Sequence, residues 1–306
     1  MADLTTKLGP LTLKNPVMTA SGTFGYGAEY EEFFPIKELG AVVVKGVAPW
    51  VSNGNPMPRV AEVTSGMLNA IGLQGPGVDK FLHDDHYLPF LRRSGATTIV
   101  NIWGKKIEDY CEVAEHLTAE KEGIAALEIN ISCPNVKEGG IAFGTDPAML
   151  SKVVSAVRKS TDLPLITKLS PNVTKIADFA IAAQDSGSDM ISLINTIPGM
   201  SIDIETYRPR IANVTGGLSG PAIKPIAVRM VYEASKAVSI PVIGMGGIAT
   251  AEDAIEFFLV GADAIAVGTA IFSNPAAPME VISGIGQWLD AHGIKSLTEI
   301  VGAVKI

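Results

Sequence analysis

The chain has 306 residues, of which 47% are hydrophobic and 18% charged, a composition typical of a globular protein with an aliphatic core. Its 32 acidic residues outnumber the 24 basic ones, and the resulting net charge of -8 disfavours a nucleic-acid partner. Two cysteines cannot form a disulfide framework, four scattered histidines show no metal-ligand spacing, and no unbroken apolar run reaches the length of a membrane span. We therefore expect a cytoplasmic protein without a metal site or a membrane partner.

Short β-branched runs alternate with amphipathic stretches along nearly the whole chain, which is the pattern of a parallel sheet built from strand–helix units. The predicted strands are Val17–Ala20, Ala41–Val44, Thr97–Ile102, Ala126–Ile131, Leu165–Leu169, Met190–Ile194, Val242–Met245 and Ala264–Val267. Eight such strands close a TIM barrel. The sequence therefore predicts an α/β fold, a (β/α)8 TIM barrel, as a single domain over residues 1–306.

Local signals mark the ends of several elements. Leu4–Leu13 alternates apolar and polar residues around a Gly-Pro turn, which predicts an N-terminal hairpin closing the barrel floor. Asp146, followed by Pro147, predicts the start of one helix, and Thr250 with Asp253 three residues later resembles a capping box. The helix predicted over Lys106–Ala119 carries Cys111, which we interpret as an inert core residue.

Two connections are too long for simple strand-to-helix loops. Gly46–Val78 follows the second predicted strand and Asn195–Gly220 follows the sixth, and both are rich in Gly, Pro, Asn and Ser. Loops that follow barrel strands lie on the carboxyl-terminal face, where active sites form. We therefore expect both connections to cover a site, with Asn69–Gly77 and Gly199–Gly217 as candidate lids.

Polar residues gather where the predicted strands end. A buried barrel has no use for them unless a ligand at its mouth pairs with them. These residues are Lys45 and Gly46, Asn101, Glu128, Asn130, Lys168, Asn195 and Thr196. The lysines fit Schiff-base chemistry, a phosphate contact, an ion pair or a ligand that gains negative charge. Four asparagines match a ring of alternating N–H and C=O groups, namely Asn69, Asn130, Asn135 and Asn195.

Glycines follow the last two predicted strands, at Gly246-Gly247 and at Gly268-Thr269. Backbone N–H groups there can converge on an anion, and the loops after strands seven and eight are the usual phosphate site of this barrel. The alternative is that these glycines form ordinary tight turns. We predict a phosphorylated ligand.

Cys133 lies in Ser132-Cys133-Pro134-Asn135, just past the fourth predicted strand. Its place in a loop at the predicted mouth favours a catalytic thiol, either a nucleophile or a general base. The chain shows no histidine in a pairing motif, which argues against a Cys–His hydrolase and leaves proton abstraction open.

Three segments resemble dihydroorotate dehydrogenase, an FMN enzyme of pyrimidine biosynthesis. They are Asn15-Pro-Val-Met-Thr-Ala-Ser-Gly-Thr-Phe-Gly25, Leu68-Asn-Ala-Ile-Gly-Leu-Gln-Gly-Pro-Gly77 and Asn130-Ile-Ser-Cys-Pro-Asn135. The cysteine is typical of class 1. Ser21–Gly27 and Gly216–Pro221 are most similar to the catalytic subunit of subclass 1B.

The resemblance implies a set of site residues. FMN would contact Ser21, Lys45, Gly46, Asn101, Asn130, Lys168, Ile194, Gly220, Gly246, Gly247, Gly268 and Thr269. Dihydroorotate would contact Lys45, Asn69, Ala70, Ile71, Gly72, Leu73, Asn130, Asn195 and Thr196. Cys133 would remove the C5 proton while the C6 hydride passes to FMN, which gives orotate.

The resemblance also implies partners. Subclass 1B implies a homodimer at the core of a heterotetramer, with electrons reaching NAD through a second subunit that carries FAD and a [2Fe-2S] cluster. The alternatives are a fumarate-dependent class 1A enzyme, the pyrimidine-reducing domain of a dihydropyrimidine dehydrogenase, a barrel isomerase or lyase for a phosphorylated sugar, and a non-catalytic binding subunit.

Overall fold

The computed structural model describes residues 2–131, 137–138 and 141–306. Parallel strands alternate with helices, as the sequence predicts. The barrel strands are β1 (Val17–Thr19), β2 (Val42–Val43), β3 (Thr98–Ile102), β4 (Ile124–Asn130), β5 (Leu165–Lys168), β6 (Met190–Leu193), β7 (Val242–Met245) and β8 (Ala264–Val267). All eight predicted strands are confirmed, with ends that differ from the prediction by at most two residues.

The sheet closes on itself. Neighbouring strands follow the order β1-β8-β7-β6-β5-β4-β3-β2, and every ladder between them is parallel. A parallel bridge between Met18 and Ala41 joins β1 to β2, supported by the amide of Gly40, which donates to the Val17 carbonyl at 2.8 Å. The predicted (β/α)8 TIM barrel is therefore the observed fold.

Helices surround the barrel. They are α1 (Val78–His83), α2 (Leu88–Ser94), α3 (Ile107–Ala119), α4 (Pro147–Ser160), α5 (Ile176–Asp185), α6 (Lys224–Ala237), α7 (Ala251–Leu259), α8 (Ala270–Ser273) and α9 (Ala277–Ala291). Asp146 caps α4 by accepting from the amides of Ala148 and Met149 at 2.7 and 3.0 Å. Thr250 and Asp253 form the predicted capping box of α7. Both predicted helix starts are confirmed.

The N-terminal hairpin closes one end of the barrel, as predicted. Strand Thr6–Leu8 pairs antiparallel with Leu11–Leu13. Leu8 and Leu13 are fully or almost fully buried and pack with inward-facing side chains from all eight barrel strands. The amino-terminal end of the barrel is therefore filled with apolar side chains, which leaves the carboxyl-terminal end for a site.

The two long connections pair with each other over the carboxyl-terminal face. Four short strands form one antiparallel sheet in the order Ile197–Gly199, Gly216–Ser219, Gly66–Asn69, Val60–Val63. Smaller hairpins pair Ile202–Asp203 with Arg208–Pro209 and Lys137–Glu138 with Ile141–Ala142. The sequence predicts the position of the long connections, but not that they form a shared sheet.

Candidate active site

Side-chain alternation divides the barrel interior into an apolar layer and a polar layer. Successive residues of a strand point to opposite faces, so a residue two positions beyond an inward apolar side chain also points inward. In β4, buried Ala126 is followed at this spacing by Glu128 and Asn130, and in β3 Ile99 is followed by Asn101. Lys45 after β2, Lys168 in β5 and Ser192 in β6 each likewise lie two positions beyond an inward-facing apolar residue. The polar side chains therefore share the carboxyl-terminal end of the interior.

A buried hydrogen-bond network lies at the centre of this layer. The Asn101 amide Nδ2 donates to Glu128 Oε1 at 2.6 Å, and the Ser192 hydroxyl donates to Glu128 Oε2 at 2.8 Å. Asn101 and Glu128 are each 1% exposed. Asn101 Oδ1 is buried and has no hydrogen-bond partner among the described residues. A donor from a bound molecule would satisfy this acceptor.

Glycine at position 46 leaves space beside this acceptor. A Cβ at Gly46 would lie 2.9 Å from Asn101 Oδ1 and 2.9 Å from a carbon of the Trp103 ring. Any larger residue would therefore crowd the Asn101 amide and cover the face that a ligand must reach.

The two strand-end lysines reach the segment after β1. Lys168 Nζ donates to Ser21 Oγ at 3.1 Å, and Lys45 Nζ lies 3.5 Å from the Gly22 carbonyl oxygen. Burial, together with the positive charge of Arg59, lowers the pKa of Lys45 to about 8. The site therefore holds positive charge that an electron-rich or anionic ligand would stabilise.

The turns after β7 and β8, whose glycines are predicted to bind phosphate, converge with Gly220 at the end of the second long connection. Gly220, Gly246 and Gly247 have positive φ angles of 98°, 128° and 80°. A Cβ at Gly247 would lie 2.9 Å from the Gly220 carbonyl oxygen, and the Thr269 hydroxyl donates to Ser219 Oγ at 2.8 Å. The turns after β6, β7 and β8 therefore meet at one place, as an anion-binding cradle requires.

Residues predicted to contact substrate lie in the sheet formed by the long connections and in the segments next to it. The Asn69 amide donates to the Gly217 carbonyl at 3.3 Å, and Ala70 N donates to the Arg59 carbonyl at 2.7 Å. Ile71, Gly72 and Leu73 follow directly and are half-buried. From the other connection, Thr196 packs closely against Gly217. A Cβ added at Gly217 would collide with the Thr196 hydroxyl. The two connections thus bring Asn69 and Thr196 to the same small sheet.

Three further sets of residues from the sequence analysis remain to be placed. Cys133 and Asn135 lie outside the described residues. Ile194, which continues β6, is buried, and Asn195 and Thr196 after it are half-buried. Cys111 lies on α3 with intermediate exposure, so it belongs to the edge of the core rather than to its interior.

Three residues in or near the polar layer were not among the predicted site residues. Glu128 and Ser192 complete the buried network, and Arg59 lies close enough to affect Lys45 electrostatically. Glu128 lies two residues before Asn130 on the same strand, so both side chains face the barrel interior if either does. This spacing could have placed Glu128 in the site from the sequence. Ser192 and Arg59 carry no comparable signal, since their roles depend on pairing between distant segments.

The donor set fits a flavin mononucleotide. The converging glycines suit a phosphate, and the lysines suit a ring edge that becomes electron-rich. The unpartnered Asn101 Oδ1 suits a ring N–H. Within the described residues, no group of His, Cys, Asp and Glu could hold a metal ion, and no helix is long and apolar enough to cross a membrane.

Comparison with protein families decides the relationship. A family model described as dihydroorotate dehydrogenase matches residues 3–289. The chain belongs to the dihydroorotate dehydrogenase family. This result confirms the family that the sequence motifs predict.

Individual relatives of this family cover essentially the whole chain. A protein of Alkaliphilus oremlandii (strain OhILAs) is 58% identical over 294 residues, which are 95% of each chain. A protein of Bacteroides fragilis (strain YCH46) is 53% identical over 306 residues, which are 100% of each chain. Both are named dihydroorotate dehydrogenase B (NAD(+)), catalytic subunit, and this name agrees with the predicted subclass 1B.

A solved structure gives an independent comparison of the fold. The crystal structure of DHODH in complex with ferulenol from Eimeria tenella superposes with a TM-score of 0.80 at 23% identity. The match covers 98% of this chain and 88% of that chain. At this identity the likeness supports the barrel fold alone.

Proposed function

We propose that this chain is an FMN-binding catalytic subunit that oxidises dihydroorotate to orotate in de novo pyrimidine biosynthesis. The observation that carries the proposal is the polar layer at the carboxyl-terminal end of the barrel, with the buried, unpartnered Asn101 Oδ1 at its centre. The names of the relatives support the same substrate.

The proposed FMN site combines the glycine turns with the lysines. Its phosphate would bind at the turns after β6, β7 and β8, and its ring would lie against Lys45 and Asn101. The remaining proposed contacts are Ser21, Gly46, Asn130, Lys168, Ile194, Gly220, Gly246, Gly247, Gly268 and Thr269. When bound, FMN accepts the hydride that leaves C6 of dihydroorotate.

The proposed substrate site lies between the polar layer and the loop sheet. Amide side chains of Asn69, Asn130 and Asn195 can pair with the ring N–H and C=O groups of dihydroorotate. Lys45, Thr196 and the segment from Ala70 through Ile71 and Gly72 to Leu73 would contact its remaining polar groups. The loop sheet covers this space and excludes water from the reaction.

Cys133 is the proposed general base. Its thiolate takes the C5 proton of dihydroorotate and becomes a thiol, while the C6 hydride leaves, so that a C5=C6 double bond forms and orotate results. A cysteine with an ordinary pKa of about 8.5 is close enough to neutrality to act as a base when the site stabilises its thiolate.

The two cysteines of the chain provide a matched test of this role. Cys133→Ala should lower dihydroorotate oxidation by about 100-fold or more, the contribution typical of a positioned base, while FMN stays bound. Cys111→Ala, the same change at the edge of the core, should leave turnover unchanged. Stopped-flow reduction of the flavin measures the step directly. Flavin reduction at the normal rate in Cys133→Ala would remove this residue from the mechanism.

The wider assembly is part of the same proposal. The chain forms the homodimeric core of a cytoplasmic heterotetramer whose second subunit carries FAD and a [2Fe-2S] cluster and passes electrons to NAD. The relatives' designation as catalytic subunit supports a partner chain. Large apolar side chains such as Ile204 and Tyr207 are 75% and 86% exposed on the second long connection, which supports contact with a second copy of this chain.

Purification separates this proposal from its alternatives. The chain should be yellow and should release FMN, not FAD, on denaturation. A colourless preparation that cannot be reconstituted with FMN and acts on a phosphorylated sugar would favour an isomerase or lyase. Turnover driven efficiently by fumarate would favour class 1A.

A further inference from the structure

Glu128 is an unusual residue for the interior of a barrel strand. It lies in the middle of β4 and is 1% exposed, although burying a carboxylate is costly unless hydrogen bonds compensate. Both of its oxygens accept short hydrogen bonds, one from Asn101 and one from Ser192. The three residues come from β3, β4 and β6, so the network crosses the interior rather than linking neighbours on a single strand.

The carboxylate determines which way the Asn101 amide points. A carboxylate only accepts hydrogen bonds, whereas an asparagine side chain has one donating and one accepting end. Nδ2 must therefore face Glu128, and Oδ1 must face away from it. The other carboxylate oxygen is held by Ser192, which is completely buried, so Glu128 itself has little freedom to turn.

The outward-facing Oδ1 is then an acceptor directed beside Gly46 at the end of β2. It is buried and has no hydrogen-bond partner among the described residues, and a donor from a bound ligand would satisfy it. Oxidised FMN has a single ring N–H, at N3, and dihydroorotate and orotate each have two. An N–H in a ring next to carbonyl groups is the chemistry that these molecules share.

We propose that Glu128 is a positioning residue that holds Asn101 with its oxygen toward the ligand, so that the site selects a ring N–H at this position. Ser192 assists by holding the second carboxylate oxygen. The role rests on the proposed function, because the N–H belongs to FMN or to the pyrimidine.

The direct test measures how strongly the site prefers a ligand whose ring carries the N–H over the same ligand with a methyl group on that nitrogen. Holoprotein is equilibrated with mixtures of FMN and N3-methyl-FMN, and the bound flavins are released and quantified. In a second arm, FMN-loaded protein is titrated with orotate and with its N1-methyl and N3-methyl forms. Each preference is the ratio of the affinities of one variant for the two forms of the ligand. A general loss of stability affects both affinities equally and cancels in the ratio.

Glu128→Gln and Glu128→Leu separate orientation from packing. Glutamine can still offer an oxygen to Asn101 and its amide to the Ser192 hydroxyl, so the preference should stay within about twofold of that of the unchanged protein. Leucine offers no acceptor, so Asn101 is free to rotate and the preference should fall by about tenfold, the value of one hydrogen bond. If the preference falls in the flavin experiment, the N–H belongs to FMN. If it falls in the orotate experiment, the N–H belongs to the pyrimidine.

A milder pair of variants applies if Glu128→Leu does not fold. Ser192→Ala removes a single hydroxyl from the network and should lower the preference about threefold. Ser188→Ala is the matched control, because Ser188 is also buried and precedes the same strand but bonds to Thr167 and the Met190 carbonyl. It should leave the preference unchanged.

The outcomes keep this role distinct from the proposed function. The positioning role is overturned if Glu128→Leu keeps the full preference for the unmethylated ring, both for FMN and for orotate. Ser192→Ala decides in the same way where the leucine variant does not fold. Either result counts even when FMN binds and dihydroorotate is oxidised. A loss of preference in Glu128→Gln equal to that in Glu128→Leu also overturns it. A chain that binds no FMN at all overturns the proposed function instead.

Discussion

At the scale of single residues, the site is built from groups that are unfavourable without a ligand. Lys45 has its pKa lowered to about 8, first by burial and then by the charge of Arg59. Functional sites commonly carry such costs because the groups are arranged for the bound state rather than for the empty fold. The cost is measurable.

Replacing Lys45 by methionine should therefore stabilise the flavin-free chain near neutrality. Because the pKa is about 8 in the folded chain and 10.5 in the unfolded one, the unfolded chain binds more protons between these values, and the stability of the unchanged protein rises with pH there. The methionine variant should be more stable below pH 8 by on the order of 1–3 kcal/mol, and the advantage from the lost charge should vanish above about pH 10.5.

Denaturant unfolding of the two flavin-free proteins at several pH values measures this difference. Lys7→Met, at an exposed position of the N-terminal hairpin, is the control for the same change in composition. A Lys45→Met chain that is less stable than the unchanged protein at pH 7 would contradict the cost assigned to burial.

Gly247 gives a second prediction at this scale. Its φ is +80°, and a Cβ would lie 2.8 Å from Lys224 Cβ and 2.9 Å from the Gly220 carbonyl oxygen. Gly247→Ala should therefore open the proposed phosphate cradle and weaken FMN binding by about tenfold or more. Gly293→Ala is the matched control, because its φ is +69° but nothing lies within 4 Å, so it should lower stability alone. Fluorescence titration with FMN compares the two, and equal affinities would exclude crowding at Gly247.

At the scale of elements, the two long connections act as one unit. Strands Gly66–Asn69 and Gly216–Ser219 pair antiparallel, with Met67 opposite Ser219 and Asn69 opposite Gly217. The sequence suggests separate candidate lids in these connections, but paired strands share their hydrogen bonds and open together. Closure of the site would then involve the sheet as a whole.

Hydrogen exchange tests this cooperation. The amides of Met67–Asn69 and of Gly217–Ser219 should exchange at similar rates and gain protection together when orotate binds, because the same ladder protects both. Rapid exchange in one strand while the other stays protected would show that the connections move independently.

Local patterns predicted the barrel but not the contacts between distant segments. Apolar runs such as Val242–Met245 can be predicted as strands because burial on both faces dictates their composition. The caps at Asp146 and Thr250 are readable because their hydrogen bonds stay within a few residues. The loop sheet joins segments about 150 residues apart, as Gly217 pairs with Asn69, and nothing local in either sequence indicates that pairing.

The same distinction applies to the site. Strand-end residues such as Asn101 and Lys168 were predicted because barrel geometry gathers strand ends without knowledge of any contact. Glu128 was assigned no role, because a carboxylate within an apolar strand has no evident purpose until Asn101 and Ser192 are seen to hold it.

At the scale of the whole molecule, the proposed reaction requires a destination for the electrons. The glycine pair Gly246-Gly247 follows barrel strand β7 rather than the first strand of a nucleotide-binding unit, so it does not read as a dinucleotide fingerprint. Two cysteines are too few to ligate an iron–sulfur cluster. If the chain works as proposed, electrons must therefore leave it for a second protein.

The isolated chain should accordingly oxidise dihydroorotate with an artificial acceptor but reduce NAD at a negligible rate. Adding a subunit that carries FAD and a [2Fe-2S] cluster should restore NAD reduction, because in the proposed route the electrons would pass from FMN through the cluster to a flavin that can transfer a hydride. Absorbance at the NADH band, followed with and without the partner at equal FMN content, measures both cases. The Cys133→Ala variant is the control, since it should stay inactive with either acceptor. Efficient NAD reduction by the isolated chain would contradict the two-subunit route, because this chain would then itself have to bind the nicotinamide against FMN.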